Sequence, residues 1–428
     1  MPRYDKSLEW LKLAENRIPL GSQTFSKSYT QYPIGVSPHF AERAKGSHIW
    51  DIDGNKYIDL VNSLAAITLG YCDKGVNKAV KKQLKKGVIF SLPGRLEFEV
   101  AEKIAHLVPS AEMVRFAKNG TDATSGAIRL ARAYTGRDHV ALCGYHGWQD
   151  WSISTTSRNK GIPRQTSDYS HNFTYNNFSS LEKLFDEFPG QIAAVIMEPM
   201  NVEFPENKFL EKVREITERN GTVLIFDETI TGFRFSEGGA QEEFNVIPDL
   251  TTLGKGIANG FPISAVTGRR EIMKEMSEIF FSGTFGGELL SLAAANHVLE
   301  GHIERKIVNK LKATGTSLAN LVENHVKVNS LQNVLKLSGH PTWKILQWSD
   351  SSGYKANEIK TFFLQEMFAE GVLIIGSHNI STSHDHTDLR LIGKAYEGTL
   401  KKISDGLHSG NLNQLLKGKP LEPLFTIR

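Results

Sequence analysis

One lysine set between two glycines is the residue in this 428-residue chain whose surroundings most suggest chemistry. Lys255 lies between Gly254 and Gly256 in the stretch DLTTLGKGIANGFP, residues 249–262, directly after a short apolar run. Because glycine adds no bulk, a flat ligand can approach the ε-amino group closely. Two interpretations follow: a solvated surface turn, which is the common fate of a lysine, or an amine for covalent catalysis.

A stretch upstream of this lysine favours the covalent interpretation. Residues 222–226 form an apolar or β-branched run, and Asp227 and Glu228 follow it directly. An acid at the C-terminal end of a buried parallel strand lies where open α/β sheets bind ligands. A lysine and an aspartate that converge there suit pyridoxal phosphate (PLP). The lysine holds the aldehyde as a Schiff base, and the carboxylate keeps the pyridine nitrogen protonated.

Composition and charge limit the class of protein. The chain is 40% apolar and 23% charged, which is ordinary for a globular protein, and its net charge of +3 indicates neither nucleic acid nor an anionic membrane as a partner. Its two cysteines, Cys72 and Cys143, form no disulfide framework and lack metal-ligand spacing. Without an apolar signal core or a membrane-length apolar run, we expect a cytoplasmic protein with no metal site.

Alternating strand and helix patterns between residues 75 and 268 predict a parallel sheet with helices on both faces. A strand predicted at 113–117 runs into the polar turn KNGTD, and a strongly helical stretch follows at 123–134. A helix N-terminus after such a turn presents free N–H groups to an anion. Asn119 and Thr121 are therefore either phosphate ligands or ordinary helix caps.

Other strand ends add candidate residues. A strand predicted at 139–143 leads into GYHGW, where Tyr145 and His146 either pack in the core or offer a flat face to a ring. A further predicted strand ends at Glu198. Thr284 lies between glycines before a predicted helix, in a setting that again suits an anion.

Taken in order, these motifs resemble the class III, fold type I PLP aminotransferases, and within them the glutamate-1-semialdehyde aminomutases most closely. The resemblance covers most of the chain and rests on RAKGSHIWDIDGNKYIDL (43–60), LVPSAEMVRFAKNGTDATSGAIRLARAYTGRD (107–138), GYHGW (144–148), IAAVIMEP (192–199), LIFDETITGFR (224–234) and PDLTTLGKGIANGFP (248–262). It implies an α/β fold: a large, mainly parallel-sheet domain at residues 66–305 and a smaller α+β domain built from residues 1–65 and 306–428.

The resemblance also implies roles at the centre of the site. Lys255 would form the Schiff base and move a proton between substrate and cofactor, and Asp227 would pair with the pyridinium nitrogen. Tyr145 would stack on one ring face, and Thr229, where the family usually has valine, would lie against the other. The implied cofactor-binding residues are Asn119, Gly120, Thr121, Tyr145, His146, Glu198, Asp227, Thr229, Lys255 and Thr284.

The phosphate and the subunit arrangement follow from the same resemblance. Gly120 and Thr121 would hold the phosphate through backbone and hydroxyl at the helix start. Thr284 would reach the phosphate of the neighbouring subunit's cofactor, which requires a homodimer with shared active sites.

The substrate is where the chain departs from the family. The aminomutases have a carboxylate-binding arginine in an N-terminal loop, and this chain has Lys27 in SQTFSKSYT. Lysine lacks the planar fork that a carboxylate prefers, although Lys27 is alternatively a solvated loop residue. We therefore expect an aminotransferase that moves an amino group from an amino-acid donor to a sugar-like or phosphorylated carbonyl compound through the pyridoxamine form. The alternative is a glutamate-1-semialdehyde 2,1-aminomutase.

Overall fold

The structure is a computed structural model that describes residues 3–305 and 307–422. These residues separate into two compact units. The first, which we call the sheet unit, contains residues 74–305 and 307–309. The second, which we call the terminal unit, contains residues 3–73 and 310–422, from both parts of the chain that flank the sheet unit.

The strands of both units are short and follow one another with helices between them. In chain order they are β1 (Ala41–Lys45), β2 (His48–Asp51), β3 (Lys56–Asp59), β4 (Met113–Ala117), β5 (His139–Cys143), β6 (Ser170–Asn172), β7 (Ile192–Met197), β8 (Val223–Glu228), β9 (Leu250–Leu253), β10 (Ser264–Gly268), β11 (Leu335–Ser338), β12 (Trp343–Trp348), β13 (Val372–Leu373) and β14 (Ser377–Asn379).

The helices range from single turns to six turns or more. They are α1 (Asp5–Glu15), α2 (Asn62–Ala65), α3 (Lys74–Leu84), α4 (Arg95–Leu107), α5 (Gly120–Thr135), α6 (Asp150–Ile153), α7 (Phe178–Glu187), α8 (Phe209–Arg219), α9 (Ala240–Glu243), α10 (Arg270–Met273), α11 (Leu289–Arg305), α12 (Ile307–Val328), α13 (Ala356–Ala369), α14 (His386–Ser409) and α15 (Leu412–Leu415). Among the described residues, no helix combines the length and the apolar character that crossing a membrane requires.

The sheet unit is built on one seven-stranded sheet in the order β4-β10-β9-β8-β7-β5-β6. Its central strands β7 and β8 are buried along their whole length, as parallel strands covered on both faces must be. Apolar side chains of α5 pack on one face, including Ala127 and Leu130, and those of α7 and α8 pack on the other. The predicted α/β class with a mainly parallel sheet is confirmed.

One strand of this mainly parallel sheet runs in the opposite direction to its neighbours. β10 runs antiparallel to both of its neighbours, β4 and β9. The connection from β9 to β10 is short and contains a 3₁₀ turn at Lys255–Ala258. A parallel crossover needs a dozen or more residues, so a connection this short returns the chain in the opposite direction.

The terminal unit contains a four-stranded sheet in the order β1-β2-β3-β13 and a three-stranded sheet in the order β11-β12-β14. β2 and β3 form an antiparallel hairpin, and β13 pairs in parallel with β3, with Val372 opposite Ile58. This pairing joins segments that are more than 300 residues apart in the chain. It explains why the two flanking parts of the chain form one unit.

Candidate active site

The sheet order brings several predicted site residues to one edge. β7, β8 and β9 are parallel neighbours, so the residues at or just after their C-terminal ends, Glu198, Asp227 and Lys255, lie at the same edge. β5 is also parallel to β7 and leads to Tyr145 and His146 at that edge. Open α/β sheets bind ligands at this carboxyl edge.

Asp227 is a buried carboxylate whose two oxygens have different partners. Its Oδ1 accepts hydrogen bonds from the Thr229 backbone N–H at 3.1 Å, the Thr229 hydroxyl at 2.6 Å and the Thr252 hydroxyl at 3.0 Å. Its Oδ2 lies 2.9 Å from His146 Nδ1. Burial by itself raises the pKa of Asp227, but the His146 and Thr229 interactions outweigh burial and lower it. The carboxylate is therefore held ionised.

His146 connects Asp227 to the backbone of β5. The imidazole is buried, and its Nε2 lies 3.1 Å from the carbonyl oxygen of Cys143. Both ring nitrogens thus face oxygen atoms, which fixes the orientation of the imidazole against the Asp227 carboxylate.

Lys255 has the electrostatic surroundings of a reactive amine. Burial lowers its pKa, while the negative charges of Glu198 and Asp227 raise it and the positive charge of Arg234 lowers it further. The net effect is a lowered pKa, which increases the fraction of neutral, nucleophilic amine. Lys255 itself has a left-handed φ of 40°. Strained backbone at a reactive residue is a common feature of functional sites.

Glu198 is a second buried acid at this edge. Its Oε2 accepts a hydrogen bond from Asn201 Nδ2 at 2.9 Å, and its Oε1 accepts one from the Tyr145 backbone N–H at 3.4 Å. Burial and the nearby charge of Asp227 raise the pKa of Glu198. Two acids in one site with pKa values shifted in opposite directions are suited to different roles.

The start of α5 forms an anion-binding geometry at the end of β4. The helix begins at Gly120, and helix geometry leaves its first backbone N–H groups without intrahelical acceptors. The Thr121 hydroxyl is buried without a hydrogen-bond partner. Gly147 has a φ of 109°, and a Cβ there would lie only 2.3 Å from Thr121 Oγ1. The chain thus keeps space beside an unsatisfied hydroxyl, which fits a phosphate group.

The remaining predicted residues have varied positions. Asn119 caps α5, and its backbone N–H bonds to Asp122 Oδ2 at 2.8 Å, so the capping interpretation describes its observed contacts. Tyr145 is 47% exposed. Thr284 is exposed on a turn. Lys27 belongs to the terminal unit, where its Nζ lies 3.4 Å from Ser63 Oγ.

Three contributors were not singled out from the sequence. Thr252 reaches Asp227 from the neighbouring strand, Arg234 adds a buried positive charge near Lys255, and Asn201 holds Glu198. The sequence offered a weak signal for Thr252, because a threonine within an apolar buried strand needs a hydrogen-bond partner. Arg234 lies within the LIFDETITGFR stretch, but a single arginine there carries no evident role.

The donor set fits PLP as a whole. A partly buried amine with lowered pKa, an ionised carboxylate and a helix start with an unsatisfied hydroxyl match the aldehyde, ring nitrogen and phosphate of that cofactor. When bound, PLP supplies an aldehyde for covalent attachment and a ring that accepts electrons from the substrate carbon.

Comparison with known proteins agrees with this chemistry. The family model described as aminotransferase class-III matches residues 31–383. A glutamate-1-semialdehyde 2,1-aminomutase from Syntrophomonas wolfei is 34% identical, with 96% of this chain and 100% of that protein covered. Another from Francisella philomiragia is 39% identical over 73% of this chain and 79% of that protein.

Solved structures with the same fold are also similar. The PLP internal aldimine form of the FumI protein from Sphingopyxis sp. MTA144 has a TM-score of 0.88 and 28% identity, with 97% of this chain and 99% of that chain covered. An omega-transaminase from Sphaerobacter thermophilus has a TM-score of 0.85 and 27% identity, with 94% of this chain and 99% of that chain covered.

Proposed function

Because the chain belongs to the class III aminotransferase family, an enzyme family that binds PLP, we propose that it moves amino groups on small carbonyl compounds with Lys255 as the catalytic amine. With PLP bound, Lys255 would hold the cofactor's aldehyde covalently and, as a free amine, would hold and release a proton at its Nζ. Asp227, kept ionised by His146 and Thr229, would stabilise a proton on the ring nitrogen. The observation behind this proposal is the meeting of Lys255, Asp227 and Glu198 at one sheet edge.

Around that centre we assign the supporting roles residue by residue. Gly120 and Thr121 would bind the phosphate, and Tyr145 would stack on the ring. These assignments are supported by the buried, unpartnered hydroxyl of Thr121 and by the partly exposed ring of Tyr145.

The first candidate substrate is glutamate-1-semialdehyde. Curated relatives that align with most of this chain bear the name of its 2,1-aminomutase. These relatives favour the aminomutase over the sugar-like or phosphorylated acceptor that we expected first from the Lys27 departure. Intramolecular transfer of the amino group from one carbon to its neighbour uses the same lysine, aspartate and cofactor.

A second candidate, intermolecular transfer to a hydroxylated or phosphorylated carbonyl compound, is supported by the surroundings of Lys27. Lys27 and Ser63 line a cavity of about 320 Å³ in the terminal unit, together with Asp59 and Tyr71. Ser63 belongs to four consecutive non-glycine residues, 62–65, whose φ values run from 45° to 68°. Each such residue costs roughly 1–2 kcal/mol in a left-handed helical turn. Strain of this kind clusters at ligand sites.

Specific hydrogen bonds hold this strained turn in place. Asp59 Oδ1 accepts the backbone N–H groups of Val61 at 2.7 Å and Asn62 at 3.0 Å, and Asp59 Oδ2 accepts the Tyr71 hydroxyl at 2.6 Å. Lys27 therefore lies beside the hydroxyl of a fixed turn, in a cavity that Asp59 and Tyr71 also line. A point-charge cation among hydroxyls suits a phosphate or a sugar better than a planar carboxylate.

The deciding experiment supplies glutamate-1-semialdehyde alone to the holoenzyme. Formation of the isomeric amino ketone without added donor or acceptor supports the aminomutase. No turnover of the semialdehyde, together with transfer from glutamate to a keto-sugar or keto-phosphate, supports the second candidate. Failure of every donor and acceptor to change the cofactor's absorption spectrum would contradict both.

Variants of Lys27 separate the candidates further. If Lys27 contacts the substrate, Lys27→Ala raises KM for the accepted compound and leaves the cofactor spectrum unchanged. Lys12→Ala, which removes another exposed lysine of the terminal unit, is the matched control and should behave as wild type. Lys27→Arg should improve use of a carboxylate-bearing substrate. Unchanged kinetics in Lys27→Ala would make this lysine a solvated loop residue.

We also propose that the active enzyme is a homodimer with shared sites. Large apolar side chains are exposed along residues 84–98 and 280–285, with Leu92 78% and Phe280 83% exposed. The two segments are close, because Val88 O accepts the Leu289 backbone N–H at 2.8 Å. Several large exposed apolar side chains in neighbouring segments are typical of subunit interfaces. It adjoins Thr284, the residue expected to reach the other subunit's phosphate.

A further inference from the structure

The Thr229 side chain is oriented by contacts on two sides. Its methyl carbon Cγ2 faces two glycines, and a Cβ added at Gly120 or Gly254 would lie 3.1 or 3.2 Å from it. Its hydroxyl donates to Asp227 Oδ1 at 2.6 Å and would lie 3.4 Å from a Cβ added at Gly120. Rotation of the side chain would therefore disturb both the hydrogen bond and the methyl contacts.

The hydrogen bonds of Asp227 are divided unevenly between its oxygens. Oδ1 takes three donors, two from Thr229 and one from Thr252, whereas Oδ2 faces His146 alone. A carboxylate offers about four lone-pair sites, roughly two on each oxygen. Oδ2 is therefore the oxygen with room for one more donor.

We propose that Thr229 is a positioning residue that acts through Asp227: its hydroxyl occupies Oδ1, so that Oδ2 receives the cofactor's ring N–H, and it keeps the shared proton on the ring nitrogen. The inference rests on the proposed pairing of Asp227 with that nitrogen. No covalent bond is made or broken in this proposal other than the bond to the shared proton. That proton lies between Asp227 Oδ2 and the ring nitrogen, and only its position between these two atoms changes.

The physical reason is the relative basicity of the two proton acceptors. A hydrogen bond donated to a carboxylate stabilises its ionised form and makes it a weaker base. Because a shared proton resides on the more basic atom, donors at Oδ1 favour the protonated ring over the neutral ring. A protonated ring accepts electrons from the substrate carbon more readily. The Thr229 hydroxyl, at the shortest of the three distances to Oδ1, makes the largest such contribution from a side chain on this oxygen.

Two substitutions separate the hydroxyl from the methyl. Thr229→Val keeps the shape and the methyl facing Gly120 and Gly254 but removes the donor. Thr229→Ser keeps the donor and removes the methyl. Thr252→Val removes the longer hydroxyl bond to the same oxygen, so it serves as a second, weaker variant with the same expected direction.

The measurement is the nitrogen-15 resonance of holoenzyme loaded with PLP that is labelled at the ring nitrogen. Thr229→Val should move this resonance from the protonated toward the neutral pyridine position. The ratio of neutral to protonated ring should rise about fivefold, the equivalent of one ordinary hydrogen bond. Thr229→Ser should stay at the wild-type position, and Thr252→Val should move less than Thr229→Val.

Three results would overturn the inference. They are a wild-type resonance in Thr229→Val, an equal displacement in Thr229→Ser and Thr229→Val, or displacement of Thr252→Val toward the protonated position. The nitrogen-15 resonance of Asp227→Asn shows whether the inference about Thr229 alone is wrong or the proposed role of Asp227 is wrong as well. If the asparagine variant kept the wild-type resonance, Asp227 would not be the partner of the ring nitrogen at all.

Discussion

At the residue scale, Asp227 and Glu228 show how neighbours in sequence acquire different tasks. Successive side chains of a strand point to opposite faces. Asp227 meets His146 and Thr229, whereas Glu228 accepts the backbone N–H groups of Ala240 and Gln241 and so stabilises the start of α9. The resemblance to the aminotransferases implied Asp227 as the acid of the site. The contacts of Glu228 with the start of α9 are those of a structural residue.

This difference gives a matched pair of variants. Asp227→Asn should bind PLP but lose turnover by several orders of magnitude, because an amide does not stabilise a protonated pyridine nitrogen. Glu228→Gln should retain the chemistry and lose stability, since it weakens the buried bonds to α9. Steady-state kinetics and urea unfolding of both proteins check the pair. Near-normal turnover of Asp227→Asn would mean that another acid serves the ring.

The contacts of Asp227 show which features of the site the sequence can predict and which it cannot. The types Lys255 and Asp227, each after an apolar run, were enough to suggest PLP. The bond to His146 joins residues 81 positions apart, and the bond to Thr252 comes from the next strand. Such contacts depend on which strands are neighbours in the sheet, and local sequence pattern does not contain that order.

At the element scale, apolar runs predicted strands better than polar turns predicted helix starts. β4 and β5 have the predicted bounds, 113–117 and 139–143. α5 begins at Gly120, earlier than the predicted residue 123, because glycine, threonine and aspartate are poor helix formers that nevertheless occupy a first turn well. The reversed direction of β10 was missed because strand pattern does not report direction.

The turn between β5 and α6 gives a prediction for phosphate binding. Gly147→Ala places a Cβ 2.3 Å from Thr121 Oγ1 and should weaken PLP binding about 5- to 150-fold, for a strain of about 1–3 kcal/mol. Gly161→Ala is the control, since Gly161 also has a positive φ, 90°, but a Cβ there meets nothing within 4 Å. Equilibrium dialysis with PLP compares them. Equal PLP affinities in both variants would exclude the space between Gly147 and the Thr121 hydroxyl as the phosphate site.

β14 gives a prediction for pH. His378 is buried with Nδ1 unpartnered and Nε2 2.7 Å from the Tyr396 hydroxyl. Burial, with smaller effects of Lys344 and His384, lowers the pKa of His378 to about 3. The unfolded chain therefore binds a proton that the folded chain excludes as pH falls below about 6.5. The stability due to the neutral ring is present above that pH and decreases toward pH 3.

The variant His378→Gln isolates this single group. Between pH 7.5 and 5.5, the wild-type free energy of unfolding should fall by about 1.4 kcal/mol more than that of the variant. This is the value for one proton, bound by the unfolded chain alone, over the one pH unit between 6.5 and 5.5. Urea unfolding at the two pH values measures the difference. An identical pH dependence in both proteins would show that His378 accepts a proton without loss of the fold.

At the scale of the whole molecule, the proposed active site needs two copies of the chain. If Thr284 of one subunit serves the site built on Lys255 of the other, two inactive variants must complement each other. In a heterodimer of Lys255→Ala and Thr284→Glu, one site combines an intact lysine with an intact threonine. Random mixing of subunits should restore roughly a quarter of wild-type activity.

The experiment refolds or co-expresses the two variants and compares the mixture with each variant alone. Light scattering of the same samples should give twice the 47.7 kDa of one chain. Restored activity would establish shared sites. A dimeric mixture with no activity above that of its components would place the whole site within one chain and remove Thr284 from it.

The central claim, that Lys255 is the catalytic amine of a PLP enzyme, has a direct test. Purified holoenzyme is treated with borohydride, which fixes the cofactor to the lysine that holds it, and the labelled peptide is sequenced by mass spectrometry. We predict one labelled site, Lys255, and no label on the Lys255→Ala variant loaded with PLP. Label on another lysine, or none in a protein that retains PLP, would contradict the account.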